Sequence, residues 1–292
     1  MRNAIRYFYN LYCDNVVKIN DNYKITFDNS LYYLILFDGD INLIKNIYDF
    51  FNNNSLYCHE IILNKDNNII TNINNKLYIF IKIHTIIKKI SYEDIINFNI
   101  LVLKNQKCNW YKLWCDKIDY YEYQMSQFKK KYPLLYDSFS YYSGLAESAI
   151  SLVSSIKDSN IDFYINHKRI LKNSSSIDFY NPINMIYDTK VRDICEYFKI
   201  QYFYVENPIE KVKDFLNNIK LSKVESILFL ARLLYPSYYF DLYDLIVQDK
   251  INENKINIIL SKTIDYELFI KNIYGYMYKI YPLPEIDWLI KT

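Results

Sequence analysis

The side chains able to do chemistry crowd into one stretch, Asp162 to Lys199. It carries His167, Lys168, Arg169, Asn173, Asp178, Asp188, Arg192 and Asp193. Carboxylates combined with an asparagine are the groups that hold Mg²⁺ in phosphoryl transfer. An arginine among them is a permanent cation that cannot accept a proton. Outside this stretch the candidates thin out. His59, His84 and His167 are too scattered for a zinc site, and Cys58 beside His59 reads as a strand-edge pair rather than two ligands. No Ser-His-Asp order stands out, and Gly-x-Ser-x-Gly is absent.

Glycine excludes a further class. The chain has three, Gly39, Gly144 and Gly275. A backbone that wraps phosphate closely needs residues free to take positive φ and lacking a Cβ. Three isolated glycines build neither GxxxxGK[ST] nor GxGxxG, so a nucleotide, if bound, is not held by a phosphate loop.

The elements that must position these groups fall into two regions. Residues 16–38 read as strands, with an Asp-Asn-Ser turn before Leu31. Apolar residues from Ile41 to Phe51 have helical spacing. Strands follow at 60–63, 69–71 and 77–81, parted by Asn-rich turns. Asn and Asp tolerate left-handed geometry and stand in there for the missing glycines. From about residue 85 the chain reads as almost all helix. Ser91 is expected to cap one start. A long helix spans Trp110 to Phe128, Pro133 closes that region, and Gly144 is expected to open a helix reaching about Ile156 at a point of close backbone packing. Glu147 beside it is a cleft-facing candidate by analogy alone. Further helices are expected near 209–219, 222–235, 237–248, 253–261 and 264–281. Ser222-Lys223-Val224-Glu225 forms a full capping box for the second of these. Tyr235, Tyr238, Tyr239 and Tyr243 are expected to pack in the core. The resulting division is residues 1–84 and 85–292.

Composition supports a soluble, globular chain. Of 292 residues 51% are hydrophobic and 23% charged. The net charge of +2, from 35 basic and 33 acidic residues, lacks the concentrated basic face of a nucleic-acid binder. Lys129-Lys130-Lys131 reads as a solvated helix end. Five cysteines (Cys13, Cys58, Cys108, Cys115 and Cys195) without a CxxC pair fit a reduced, cytoplasmic setting. No run approaches the length of a membrane span, and no secretory leader is expected.

Three segments, taken in order, carry a resemblance: Asn109-Trp110-Tyr111-Lys112-Leu113-Trp114 through Glu122; Tyr141 to Ile150; and His167-Lys168-Arg169-Ile170 followed by Tyr187-Asp188 and Arg192-Asp193. Together they resemble the spore-coat-associated kinase-like proteins (the CotS/YutH type, YutH-like branch) of the aminoglycoside/choline kinase superfamily. The resemblance implies an α+β, two-lobed protein-kinase-like (aminoglycoside phosphotransferase-like) fold, with a small β-rich N-lobe and a large helical C-lobe. It also implies that His167, Arg169 and Asn173 are the remnant of a catalytic loop, with Arg169 where the superfamily has its catalytic Asp. The third strand, Tyr32 to Leu36, lacks the phosphate-binding lysine. These losses imply a pseudoenzyme with no cofactor expected, working through protein partners such as a spore-coat assembly, with neither nucleic acid nor membrane.

On this reading Asp193 braces the loop and caps its helix. Arg169, Asp188, Arg192 and Asp193 would form a charge network in which Arg169 replaces the metal charge. The alternative is an active phosphotransferase on a small hydroxylated substrate, using ATP and Mg²⁺ held by Asp178 or Asp188, with Asp162 as base. A scaffold without a pocket is the third possibility.

Overall fold

The computed structural model describes residues 1–84, 87–107, 110–128 and 131–290. Cys108, Asn109, Lys129 and Lys130 lie outside the described residues. The chain divides into two compact units, 1–91 with 173–186, and 92–172 with 187–292.

The first unit opens with helix α1 (Arg2–Tyr9), which the sequence reading missed, and strands β1 (Asn15–Ile19), β2 (Asn22–Phe27) and β3 (Ser30–Leu36). Helix α2 (Ile41–Asn53) follows, begun by Asp40, whose carboxylate accepts from the backbone N–H of Asn42 and Leu43. Strands β4 (Glu60–Ile62), β5 (Ile70–Ile73) and β6 (Lys76–Ile83) complete an antiparallel sheet ordered β1-β2-β3-β6-β4, with β5 also on β6. Alternation along β6 builds two cores. Tyr78 and Phe80 join Ile5, Ile25 and Leu34, while Ile79 and Ile81 join Ile44, Ile61 and Phe37. The tight turns use Asn and Asp as expected: Asn20, Asp28, Asn29, Asn74 and Asn75 all have positive φ, and no described glycine does.

The second unit contains α3 (Tyr92–Asn97), β7 (Leu101–Lys107), α4 (Trp110–Phe128), α5 (Pro133–Ser154) and β8 (Asn160–His167). The chain then passes through the first unit, where it forms α6 (Ser176–Phe179), and returns along β9 (Met185–Asp188). Helices α7 (Arg192–Tyr204), α8 (Ile209–Asn218), α9 (Lys223–Leu234), α10 (Ser237–Val247), α11 (Asn257–Leu260), α12 (Thr263–Met277) and α13 (Asp287–Ile290) follow. Helix α9 is buried from Glu225 to Leu234 and packs on α5 and α7. Its capping box is present: Glu225 N–H donates to Ser222 Oγ at 3.2 Å, and Ser222 N–H to Glu225 Oε2 at 2.8 Å. The four tyrosines are buried, with Tyr239 stacked on Tyr142 at 3.9 Å.

Three sequence expectations are corrected. Residues 173–186 belong with the first unit, because Ile183 enters its core and His59 N–H donates to Tyr180 O at 2.8 Å. Residues 133–143 are helical: Pro133 sits at the first turn of α5, where its missing N–H costs nothing. Gly144 therefore lies inside α5 rather than opening a helix, and a Cβ there would meet nothing within 4 Å, so close packing does not explain it.

Candidate functional site

The loop after β8 is fastened by the first two residues of α7. Asp193 accepts from His167 N–H at 3.0 Å and from the His167 ring Nδ1 at 2.6 Å, and both side chains are buried. Arg192 donates through Nε to His167 O at 3.1 Å and through Nη2 to Lys168 O at 3.2 Å. Its third donor, Nη1, reaches Asp188 Oδ2 at 2.7 Å. The loop-bracing role expected for Asp193 is present. The helix cap is not: Asp193 lies one position into α7, and Val191 precedes the helix without a side-chain cap.

Asp188, at the end of β9, is the most committed carboxylate of the unit. Oδ2 accepts from Arg192, while Oδ1 accepts from Arg232 Nη2 and from Thr189 N–H at 2.7 Å. Burial pushes its pKa up, but the Arg232 and Arg192 guanidiniums outweigh this and hold the carboxyl below its usual range. Arg232 is itself wedged against the Trp110 and Trp114 rings, 5.5 and 5.9 Å from their centroids. Both Asp188 oxygens are thus filled by protein donors, and they do not fit a Mg²⁺ ligand set.

Arg169 does not join Asp188. It is nearly half exposed, donates to Asp241 Oδ1 of α10 at 2.8 Å and to Lys168 O at 2.9 Å, and leaves the counter-charge of Asp188 to Arg192 and Arg232. Asp188 and Arg192 are thus ion-paired, and Arg192 and Asp193 both bond to His167, whereas Arg169 pairs with Asp241. Asn173 lies in an exposed turn of the first unit. Asp178, also there, accepts from Ser175 N–H and Oγ at 3.0 and 3.1 Å and so starts α6. Asp162 accepts from Asn105 N–H at 2.9 Å, bracing the irregular strand β7. Glu147 is exposed on α5. His59 is buried with Nε2 3.2 Å from Ser176 O, and burial lowers its pKa. Among the described residues no group of three or more His, Cys, Asp or Glu is arranged to hold a metal ion.

In the first unit, β3 carries no lysine, but its neighbours set Lys24 opposite Tyr33 and Lys82 opposite Tyr32. The β1–β2 connection is a two-residue hairpin through Asn20 and Asp21. So short a turn lacks the reach of a phosphate-covering loop.

A pocket of about 50 Å³ adjoins the fastened loop, wholly within the second unit. Lys117, Arg169, Arg192 and Arg232 line it, with Asp241. At its base Lys199 is buried and donates among Glu196 Oε1 (2.7 Å), Ser237 Oγ (2.6 Å) and the carbonyls of Arg232 and Tyr235 (3.0 and 3.3 Å). Burial pushes the Glu196 pKa up, but Lys199 and then Arg192 and Ser237 overcome it, leaving a pKa of about 2. Burial pushes the Lys199 pKa down, and the neighbouring Glu196 carboxylate offsets part of that shift. Sequence reasoning missed Lys117, Glu196, Lys199, Arg232 and Asp241. The available signal was Arg232, a lone charge within the apolar run Ile227 to Leu234, which a buried helix tolerates only with a partner.

Solved structures share this fold. An aminoglycoside phosphotransferase from Alicyclobacillus acidocaldarius subsp. acidocaldarius aligns with a TM-score of 0.63 at 8% identity, covering 96% of this chain and 97% of that one. Spectinomycin phosphotransferase APH(9)-Ia, solved with ADP and spectinomycin, aligns with a TM-score of 0.54 at 11% identity, covering 93% and 92%. At such identities the likeness shows the fold alone, an aminoglycoside phosphotransferase-like, kinase-like fold with a sheet-rich N-terminal and a helical C-terminal part. No curated protein sequence matches the chain. The family described as Spore coat putative kinase YutH matches residues 2–273, and the chain belongs to that family.

Proposed function

We propose that this protein is a kinase-like pseudoenzyme, a structural or binding component of the spore coat working through protein partners. The observation that carries the reading is Asp188, whose two oxygens are shared between Arg192, Arg232 and the Thr189 N–H. A carboxylate clamped by two guanidiniums is not available to a divalent cation, and phosphoryl transfer in this fold depends on such a cation. Arg169, ion-paired with Asp241, adds a cation that cannot serve as a base. The absence of lysine from β3 and the short β1–β2 turn support the same reading. The spore-coat setting rests on the family. Among the described residues no helix is long and apolar enough to cross a membrane.

Thermal melting with and without ATP, each with and without Mg²⁺, tests the reading. A ligand at a hundred times its Kd adds about 2.7 kcal/mol, which is visible as a shift in Tm. The proposal expects no Mg²⁺-dependent shift. A shift that requires ATP and Mg²⁺ together would instead indicate an active phosphotransferase on a small hydroxylated substrate.

A further inference from the structure

The pocket beside the fastened loop holds more positive charge than its carboxylates balance. Lys199 is matched by Glu196, and Arg169 by Asp241. Arg192 and Arg232 share the single carboxylate Asp188. Lys117 has no hydrogen bond or ion pair among the described residues, although it lines the same pocket. Lys117 is exposed as a residue, but burial around its ammonium, followed by the Arg169 and Arg192 charges, lowers its pKa. Asp241 and then Asp244, which accepts from Tyr121 OH at 3.0 Å, only partly offset this field.

A second observation is independent of charge. Arg232 Nε and Tyr235 OH are buried polar atoms without a hydrogen-bond partner, and both residues line this pocket. Buried donors are normally paired, and those left over in a folded chain call for an explanation. The cavity of about 50 Å³ exceeds the roughly 10–15 Å³ that one water needs, and is far below the several hundred typical of a nucleotide-sized site.

We infer that this pocket binds a small tetrahedral oxyanion, a phosphate either free or as the terminal group of a phosphomonoester, through Lys117, Arg169, Arg232 and Tyr235. Guanidinium and ammonium groups supply charge-assisted hydrogen bonds to phosphate oxygens, and the tyrosine hydroxyl supplies a neutral donor. The assignment deepens the non-catalytic reading and rests on it in one respect, that Arg169 is a binding group and not a disabled base.

Calorimetric titration of the full chain with inorganic phosphate, and separately with phosphoserine, without nucleotide or divalent metal and at constant ionic strength, tests this. Saturable binding of one anion per chain is expected, weakened about tenfold or more in Lys117→Gln, whose exposed position spares the fold. Tyr235→Phe should weaken binding while leaving the Tm of the ligand-free protein unchanged or higher, since the hydroxyl has no partner to lose. Preference for phosphate would identify the free ion as ligand, and preference for phosphoserine a phosphorylated molecule. Absence of saturable binding of either, or binding unchanged in both variants, overturns the assignment. That failure would leave the pseudoenzyme reading standing, whereas phosphoryl transfer dependent on Mg²⁺ and ATP would end that reading without bearing on the two variants.

Discussion

Asp188→Asn is the sharpest perturbation of the loop. The replacement keeps the shape but removes the charge, and it turns an amide NH₂ toward one of two guanidiniums. Arg232, 4% exposed, and Arg192, 17% exposed, would then be left sharing one neutral acceptor. Breaking a buried ion pair by removing one partner costs about 3–5 kcal/mol, because the other charge stays buried and uncompensated. For a chain of this size 1 kcal/mol moves Tm by about 2–4 °C, so a fall of about 10 °C is expected. Arg169→Ala supplies the contrast. Its ion pair with Asp241 is 46% and 34% exposed, and an exposed pair contributes about 1 kcal/mol at most. Circular-dichroism melts of the two variants beside the parent protein measure both. Equal losses in the two, or a loss in Asp188→Asn below about 1 kcal/mol, would refute the argument that Asp188 holds the loop and Arg169 does not.

Three further outcomes follow from individual residues. Glu196 has a folded pKa of about 2 against an ordinary 4.5, so its contribution is present above pH 4.5 and is lost as pH falls toward 2. Melts across that window should show a shallower acid limb in Glu196→Gln, by about 3 kcal/mol at most. Gly144→Ala, in the interior of α5 with open space at the Cβ, should raise stability by about 0.5–1 kcal/mol in urea titration. Asn75, at φ 62° in the β5–β6 turn, should lose about 1 kcal/mol on replacement by Ala and much less on replacement by Gly, by the same assay.

What was legible in the sequence was local. Helix α4 runs from Trp110 to Phe128 as its apolar spacing indicates, and the Ser222–Glu225 box marks the start of α9. The left-handed Asn and Asp turns were readable because few residue types tolerate them. Helix α1 was missed although Ala4, Ile5, Phe8 and Tyr9 form an apolar stripe along it, because it has only 8 residues and only Ile5 is fully buried. Strand β7 was missed because its face is broken by register shifts and by Asn105 at positive φ. At the site, Arg192 and Asp193 stand in a short local motif and could be read. Arg232 meets Asp188 across 44 residues, and Lys199 meets Ser237 across 38. Such partners are decided by how helices pack, which spacing along the chain does not encode. Arg169 was misassigned for the same reason, its partner Asp241 being 72 residues away on α10.

The most direct test of the central claim is the binding of Mn²⁺, as a paramagnetic stand-in for Mg²⁺, to the intact protein with and without ATP. The free Mn²⁺ resonance is followed as protein is added. If Asp188 is fully engaged by Arg192 and Arg232, the protein takes up no stoichiometric Mn²⁺ and does not change the fraction held by ATP. Uptake of one or two Mn²⁺ per chain in the presence of ATP would contradict the account and place the protein among working phosphotransferases.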